Sequence, residues 1–218
     1  MTVILFIYGS CWGSFLMAAA DRYRTDQSLL FPASHCATCQ TPLPPWQLVP
    51  VLSYLCLRGR CLTCHTPIPP ATLAMEVGVG LLATHVHDWP SGLTYLELTL
   101  WLLAALCDHT TQTFPGWISL VSLLLTGWGH SVLLVLLISS LLLAVRWCWP
   151  RWPRPLIGDG DLEVMLCYGL GHSLTASATW LLTACTGALL LTRYSTLPGR
   201  IAFIPYLTAS AVWWWLWP

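Results

Sequence analysis

The sequence predicts an all-α polytopic integral membrane protein with about eight transmembrane helices and a small polar loop domain between helices 1 and 2. Only 8% of the 218 residues are charged, against roughly a quarter in ordinary soluble domains, and 56% are hydrophobic. Apolar runs recur from one end of the chain to the other. The net charge is zero and there is no lysine, so no basic surface indicates nucleic-acid binding.

The expected helices follow eight apolar runs. Several runs are shorter than the about 20 residues that a helix needs to cross the hydrocarbon, so we expect them to recruit flanking residues. Positive charge follows the first run instead of preceding it, which favours an uncleaved anchor over a cleaved signal peptide. The runs cover residues 2–20, 71–87, 93–107, 117–128, 131–145, 162–170, 173–192 and 201–217.

The arginines predict the orientation in the inner or plasma membrane, because positive side chains near span ends favour the cytoplasm. If 21–70 is cytoplasmic, counting through eight spans places 108–116, 146–161 and 193–200 on the same side. All nine arginines fall in these segments: Arg22, Arg24, Arg58 and Arg60; Arg146, Arg151 and Arg154; Arg193 and Arg200. We therefore expect three domains: 1–20 as the first transmembrane helix, 21–70 as a cytoplasmic loop domain, and 71–218 as a multi-span core.

The loop 21–70 contains two Cys-x-x-Cys pairs, Cys36 with Cys39 and Cys61 with Cys64. Two such pairs are typical of a structural zinc site, in which four thiolates surround the ion. A loop this short buries little core, so bound metal would supply much of its folding energy. The alternative is a dithiol relay of a membrane thiol-disulfide oxidoreductase, which the predicted reducing compartment disfavours. Cys56 lies in the same loop without a Cys-x-x-Cys partner.

Two groups of acids fall at ends of predicted spans. Asp108 ends the third span, and the segment "GDGD", 158–161, opens the sixth. The topology places both at one membrane face, which is the arrangement that two carboxylates sharing a proton would need to activate water. Gly158 and Gly160 could allow a positive φ or a close approach to substrate. The competing interpretation is helix capping by these acids, with a calcium loop less favoured because further oxygen ligands are missing.

The motifs resemble those of the type IV prepilin peptidases, which are GxGD-type membrane aspartic proteases. The resemblance covers nearly the whole chain in the family's order. The matching segments are "GSCWGSFL" (9–16), "FPASHCATC" (31–39), Cys61 and Cys64, Glu76 in the second span, "DHTTQTFP" (108–115, matching at Asp108, Thr111, Gln112 and Pro115), "GDGD" (158–161) and "IAFIPYL" (201–207, with Ala202 replacing the first proline and Pro205 retained).

Two departures accompany these matches. Met17 stands where an asparagine is usual, and Glu163 stands where a lysine usually follows the second aspartate. Glu163 adds negative charge beside Asp161, so we expect a shift in the pH at which the pair works.

The resemblance implies an endopeptidase that removes the leader from type IV prepilins or pseudopilins. Asp108 and Asp161 would be catalytic, with Gly158, Gly160, Thr111 and Pro115 supporting. Many family members also N-methylate the new terminus with S-adenosylmethionine, and the four cysteines permit that activity here. Implied partners are prepilin helices and the lipid bilayer. The alternatives are the thiol oxidoreductase and a non-catalytic pilin assembly factor.

Overall fold

A computed structural model describes residues 1–128, 130–148, 158–192 and 201–217, and these residues are helical except for their connections. Antiparallel pairing among them is limited to two isolated bridges, His35 with Pro42 and Arg60 with Pro67. The α-helices are α1 Thr2–Arg24, α2 Leu52–Cys56, α3 Pro70–Ala83, α4 Trp89–Thr111, α5 Trp117–Thr126, α6 Val132–Cys148, α7 Asp159–Gly171, α8 Leu174–Thr192 and α9 Ile204–Leu216.

The all-helical class is confirmed, and each predicted apolar run corresponds to a helix. Helices α1, α4 and α8 are long and apolar enough to cross a membrane by length and composition. Helices α3, α5 and α6 are apolar but have only 10–17 residues. Eight crossings therefore stay a prediction, since the shorter helices would need flanking residues to complete a span.

Backbone proximity divides the chain into two compact units, Met1–Tyr95 and Leu96–Pro218. The boundary falls inside α4. The first unit contains the cysteine loop, and the second contains both aspartate segments.

In the first unit, α1 packs against α3 through small residues. A Cβ added at Gly13 would stand 2.6 Å from the carbonyl oxygen of Met75, and one at Gly9 would stand 2.8 Å from that of Val79. These distances are too short for any side chain, so the glycines let the two backbones touch. Small residues four apart are the common means of close helix packing in membranes. The Gly9 to Leu16 motif thus has a packing role within α1.

The core of the second unit is built on aromatic side chains, and the indole N–H groups of its two buried tryptophans are hydrogen-bonded. Trp180 of α8 is 1% exposed, and its indole N–H donates to the Leu207 carbonyl at 2.9 Å. The Tyr168 ring stacks on Trp180 with centroids 4.0 Å apart. Trp101 donates to the Ser122 hydroxyl at 2.9 Å. Together these contacts join α4, α5, α7, α8 and α9 around one interior.

Candidate active site and candidate metal centre

Asp108 lies in the last turn of α4, where the "DHTTQTFP" segment ends the helix. Gln112 adopts φ 56°, and its N–H donates to the Asp108 carbonyl at 2.9 Å, which is the left-handed closure of a helix C-terminus. The Thr111 hydroxyl lies 2.9 Å from the carbonyl oxygens of both Cys107 and Thr113. The Pro115 carbonyl accepts from the Ile118 N–H at 3.0 Å as α5 begins. Thr111 and Pro115 therefore help to shape the turn that follows Asp108.

Asp161 lies in the first turn of α7. The helix has Gly158 as its N-cap residue and Asp161 at the third helical position. The Gly158 N–H donates to Asp161 Oδ2 at 3.2 Å. The Asp161 carboxylate therefore accepts a hydrogen bond from one of the backbone amides that have no partner within the helix. Asp159 is the first residue of the helix. Asp161 therefore caps the helix and also lines the cavity described next.

The two aspartates line the same cavity of about 130 Å³, together with Asp159 and Glu163. Asp108 Oδ2 is buried and has no hydrogen-bond partner among the described residues. The Ile204 backbone N–H faces Asp108, and Ile204 begins α9. The "IAFIPYL" segment thus directs a helix N-terminus at this carboxylate, a position that favours negative charge. Two aspartates that are 53 positions apart in sequence therefore line one cavity.

Gly160 is required by packing within the protein. A Cβ at this position would stand 2.3 Å from Phe114 Cε1 and 3.3 Å from Ile204 Cδ1. Gly158 has φ −64°, and positive φ among the described glycines occurs at Gly59. The positive φ that the "GDGD" pattern allows is therefore not used. Gly160 instead permits the Asp108 segment, through Phe114, to contact the first turn of α7.

Glu163 is not an isolated negative charge beside Asp161. Its side chain is 2% exposed, and Arg146 Nη1 of α6 donates to Oε1 at 3.1 Å and to Oε2 at 3.2 Å. The Ser119 hydroxyl of α5 donates to Oε2. Sequence reasoning treated Arg146 only as an orientation signal. Its pairing could not be read from the sequence because the two residues come from different helices.

The four loop cysteines form a compact cluster. Their sulfur atoms all lie within 4.8 Å of one another, with Cys36 Sγ 3.7 Å from Cys64 Sγ and Cys39 Sγ 3.9 Å from Cys61 Sγ. Four thiolates about 2.3 Å from one zinc ion would be spaced about 3.8 Å apart. The cluster therefore has the donor atoms and the spacing that a tetrahedral metal ion needs. Cys56 is exposed and outside it.

Each cysteine pair lies in a copy of the same knuckle, and sequence reasoning missed the repeat "CATCQTPLP" and "CLTCHTPIP". In each copy the first cysteine pairs with a threonine across a tight turn, through Cys36 N to Thr41 O at 3.0 Å and Cys61 N to Thr66 O at 2.9 Å. Each threonine hydroxyl also lies 3.2 Å from the second sulfur of its copy, Cys39 or Cys64. The Thr66 hydroxyl and backbone amide lower the pKa of Cys64 to about 6, which favours the thiolate that a metal requires.

Glu76 connects the helices of the first unit to the loop. Its side chain is buried, and Oε1 accepts from the Ser14 hydroxyl at 2.8 Å while Oε2 accepts from the Val51 N–H at 2.7 Å. A cavity of about 480 Å³ lies beside it and is lined also by Met17, Asp21 and Tyr54. The acid at the second span and the methionine that replaces the usual asparagine therefore face one space.

Part of the orientation argument lies outside the described residues. Arg151, Arg154, Arg193 and Arg200 are in segments 149–157 and 193–200. Arg22 and Arg24 lie in the last turn of α1, and Arg146 lies in the last turn of α6. The cytoplasmic orientation stays a prediction.

Comparison with known proteins gives consistent matches. The model of the bacterial peptidase A24 N-terminal domain matches residues 7–88. A prepilin leader peptidase/N-methyltransferase from Pseudomonas putida is 32% identical over 205 residues, covering 84% of this chain and 71% of that protein. A protein of the same name from Myxococcus xanthus strain DK1622 is 29% identical over 224 residues, covering 95% of this chain and 64% of that protein. No solved structure matches the chain.

The matches extend through both compact units, so they cover the cysteine cluster and the aspartate cavity alike. A third relative, the prepilin leader peptidase/N-methyltransferase of Bacillus subtilis strain 168, is 41% identical over 60 residues. The chain is a membrane protein of the type IV prepilin peptidase family.

Proposed function

We propose that the protein is an aspartic endopeptidase that removes the leader peptide from type IV prepilins or pseudopilins. The observation that carries the proposal is that Asp108 and Asp161 line one cavity although they come from different helices. The names of the relatives support the same activity. In this proposal the protein lies in the inner or plasma membrane, with the cavity and the 21–70 domain at the cytoplasmic face.

The chemistry requires one protonated and one ionised carboxyl group. Like charges held close together cannot both ionise easily, so the pair retains a proton. The ionised member takes a proton from water as the water attacks the scissile carbonyl. The protonated member then donates to the departing amine. The buried Oδ2 of Asp108, unpartnered among the described residues, would be free to hold that water, while Asp161 is oriented by the Gly158 amide.

The test is cleavage of a prepilin by the parent and by single Asp→Asn variants. We expect Asp108→Asn and Asp161→Asn each to lower the cleavage rate by at least about a thousandfold, because neither amide can exchange a proton with water. Asp159→Asn is the matched control on the same helix turn and should keep most activity. Full activity in either of the first two variants would exclude the pair, and loss only with Asp159→Asn would move the site to that residue.

We further propose that the cysteine cluster holds structural zinc through Cys36, Cys39, Cys61 and Cys64. The sulfur spacing supports this assignment. Bound zinc would cross-link the two knuckles and stabilise a loop that has few buried side chains. The thiol oxidoreductase alternative would require the same sulfurs to form disulfides, and the relatives' names do not favour it.

The relatives' names include N-methyltransferase, so we propose that the new terminus is also methylated with S-adenosylmethionine. The cavity beside Glu76 is the candidate site for the methyl donor. Its volume of about 480 Å³ and its lining by Asp21, Arg22 and Glu76 suit a ligand that carries a sulfonium, an ammonium and a carboxylate. Asp21 and Glu76 would attract the cationic groups, and Arg22 would attract the carboxylate.

A further inference from the structure

We propose that Arg146 is a positioning residue for cleavage: it supplies the fixed positive charge that balances Glu163, so that Glu163 adds no net negative charge beside the aspartate pair. The inference rests on the proposed peptidase function and deepens it. It also accounts for Glu163, which alone would add negative charge to the site.

The Glu163 carboxylate is held by hydrogen bonds from two side chains. Both carboxylate oxygens accept from Arg146 Nη1, and the Ser119 hydroxyl adds a further donor. The Glu163 side chain is 2% exposed, whereas that of Arg146 is 45% exposed. A carboxylate buried to this extent is unfavourable unless it is paired and hydrogen-bonded. Arg146 therefore supplies the counter-charge to this buried carboxyl group, and part of its guanidinium lines the cavity.

The backbone leaves a dedicated space for the guanidinium. A Cβ at Gly116 would stand 2.2 Å from Arg146 Cζ and 2.3 Å from one of its terminal nitrogens. The guanidinium thus lies against the bare backbone at the start of α5. Gly116 follows Pro115 directly, so the same segment that carries Asp108 also positions the positive charge.

The Arg146–Glu163 pair contributes to the charge balance of the cavity. Four acids line the cavity, and among the described lining residues Arg146 is the one cation. Helices α5, α6, α8 and α9 pack against α7, and α5 faces Glu163 with the Ser119 hydroxyl. The titratable groups that face Glu163 or the cavity from the described residues are Asp108 and His109 of α4, Arg146 of α6, and Asp159, Asp161 and Cys167 of α7.

Removing either partner should therefore shift the pH dependence of cleavage, in opposite directions. Arg146→Met removes the counter-charge of Glu163, and over the pH range in which Glu163 is ionised its negative charge opposes ionisation of the pair, so the rate profile moves to higher pH there. Glu163→Gln leaves the arginine uncompensated, and the profile moves to lower pH. One unit charge in the lining of the same cavity is expected to shift the pH profile of the cleavage rate by roughly one pH unit.

The experiment measures kcat and KM for prepilin cleavage across pH with the full-length protein in lipid. The variants are Arg146→Met, Glu163→Gln, the double variant that carries both, and Gly116→Ala, whose methyl displaces the guanidinium without removing its charge. Arg58→Met is the matched control, because it removes an exposed loop arginine with the same net charge change. We expect opposite shifts in the two single variants, a return toward the parent profile in the double variant, a smaller upward shift in Gly116→Ala, and no shift in Arg58→Met.

A purely structural ion pair would lower stability and kcat without this pattern of signs. Shifts of the same direction in both single variants, or a double variant that stays displaced like Arg146→Met, would overturn the inference. So would an unshifted Glu163→Gln, because the arginine left without its partner stays charged. If Arg146→Met does not fold, Glu163→Gln and the double variant decide the question by the same criterion. Absence of cleavage by the parent itself would instead reject the peptidase function.

Discussion

At the scale of single residues, the close approach of Phe114 to Gly160 couples the two aspartate segments. The aromatic ring occupies the space that any side chain at position 160 would need. The glycine pattern and the aspartates could be predicted from sequence as a pair of motifs. The contact itself could not, because sequence spacing does not tell which side chain fills a space left by a glycine. The same is true of Arg146, whose partner is 17 positions away on another helix.

Gly160→Ala should impair cleavage and stability together. The new methyl would stand 2.3 Å from Phe114 Cε1, so the ring must move, and a clash of this kind costs about 1–3 kcal/mol. The measurements are thermal unfolding in detergent and the prepilin cleavage rate. Gly169→Ala on the same helix is the matched control. Nothing lies within 4 Å of its Cβ, and it should be neutral or stabilise by up to about 1 kcal/mol. Equal behaviour of the two variants would contradict the packing role of Gly160.

At the scale of elements, the cysteine knuckles show how a repeated local sequence builds one site. Each copy uses the same turn and a threonine in the same place, and the residues after the second cysteines, Gln40 and His65, have φ 57° and 56°. The four candidate metal ligands could be predicted from the Cys-x-x-Cys spacing. Their mutual arrangement required the fold, since the spacing brings two sulfurs together and the fold must bring the two pairs together.

Metal content should depend on the cluster and not on the loop's other cysteine. We expect the purified parent to contain about one zinc per chain, as four thiolates around one ion require. Cys36→Ser should lose most of it and make segment 21–70 more sensitive to protease. Cys56→Ser, which changes an exposed cysteine outside the cluster, should retain the parent's zinc and protease resistance. Elemental analysis and limited proteolysis measure both effects, and a parent without zinc would refute the proposed metal.

At the scale of the whole molecule, the candidate sites fall in different compact units. The cavity beside Glu76 belongs to Met1–Tyr95, and the aspartate cavity belongs to Leu96–Pro218. The predicted domains put the cysteine loop in 21–70 and both aspartates in 71–218, without saying how the two sites are built. Only the folded chain shows that each half encloses a cavity of its own.

Cleavage and methylation should therefore be separable by single substitutions. Asp161→Asn should abolish leader removal but still methylate a peptide supplied with the mature terminus. Glu76→Gln alters a carboxylate that accepts from Ser14 and Val51, and it should reduce methyl transfer more than cleavage. Labelled S-adenosylmethionine and a gel assay for leader removal give the two rates. Parallel loss of both activities in both folded variants would indicate one shared site.

The sequence by itself determined the helical membrane class, the positions of the helices and the four metal-ligand candidates, whereas the two catalytic aspartate candidates came from the resemblance of their motifs to a known family. The first three features depend on composition, on local periodicity and on short spacings that the backbone converts directly into geometry. Only the tertiary structure decided that Glu163 is neutralised by Arg146, that Gly160 makes room for Phe114, and that Asp108 faces the start of α9. These are contacts between side chains of different helices, and they depend on how the helices pack, which no single stretch of sequence encodes.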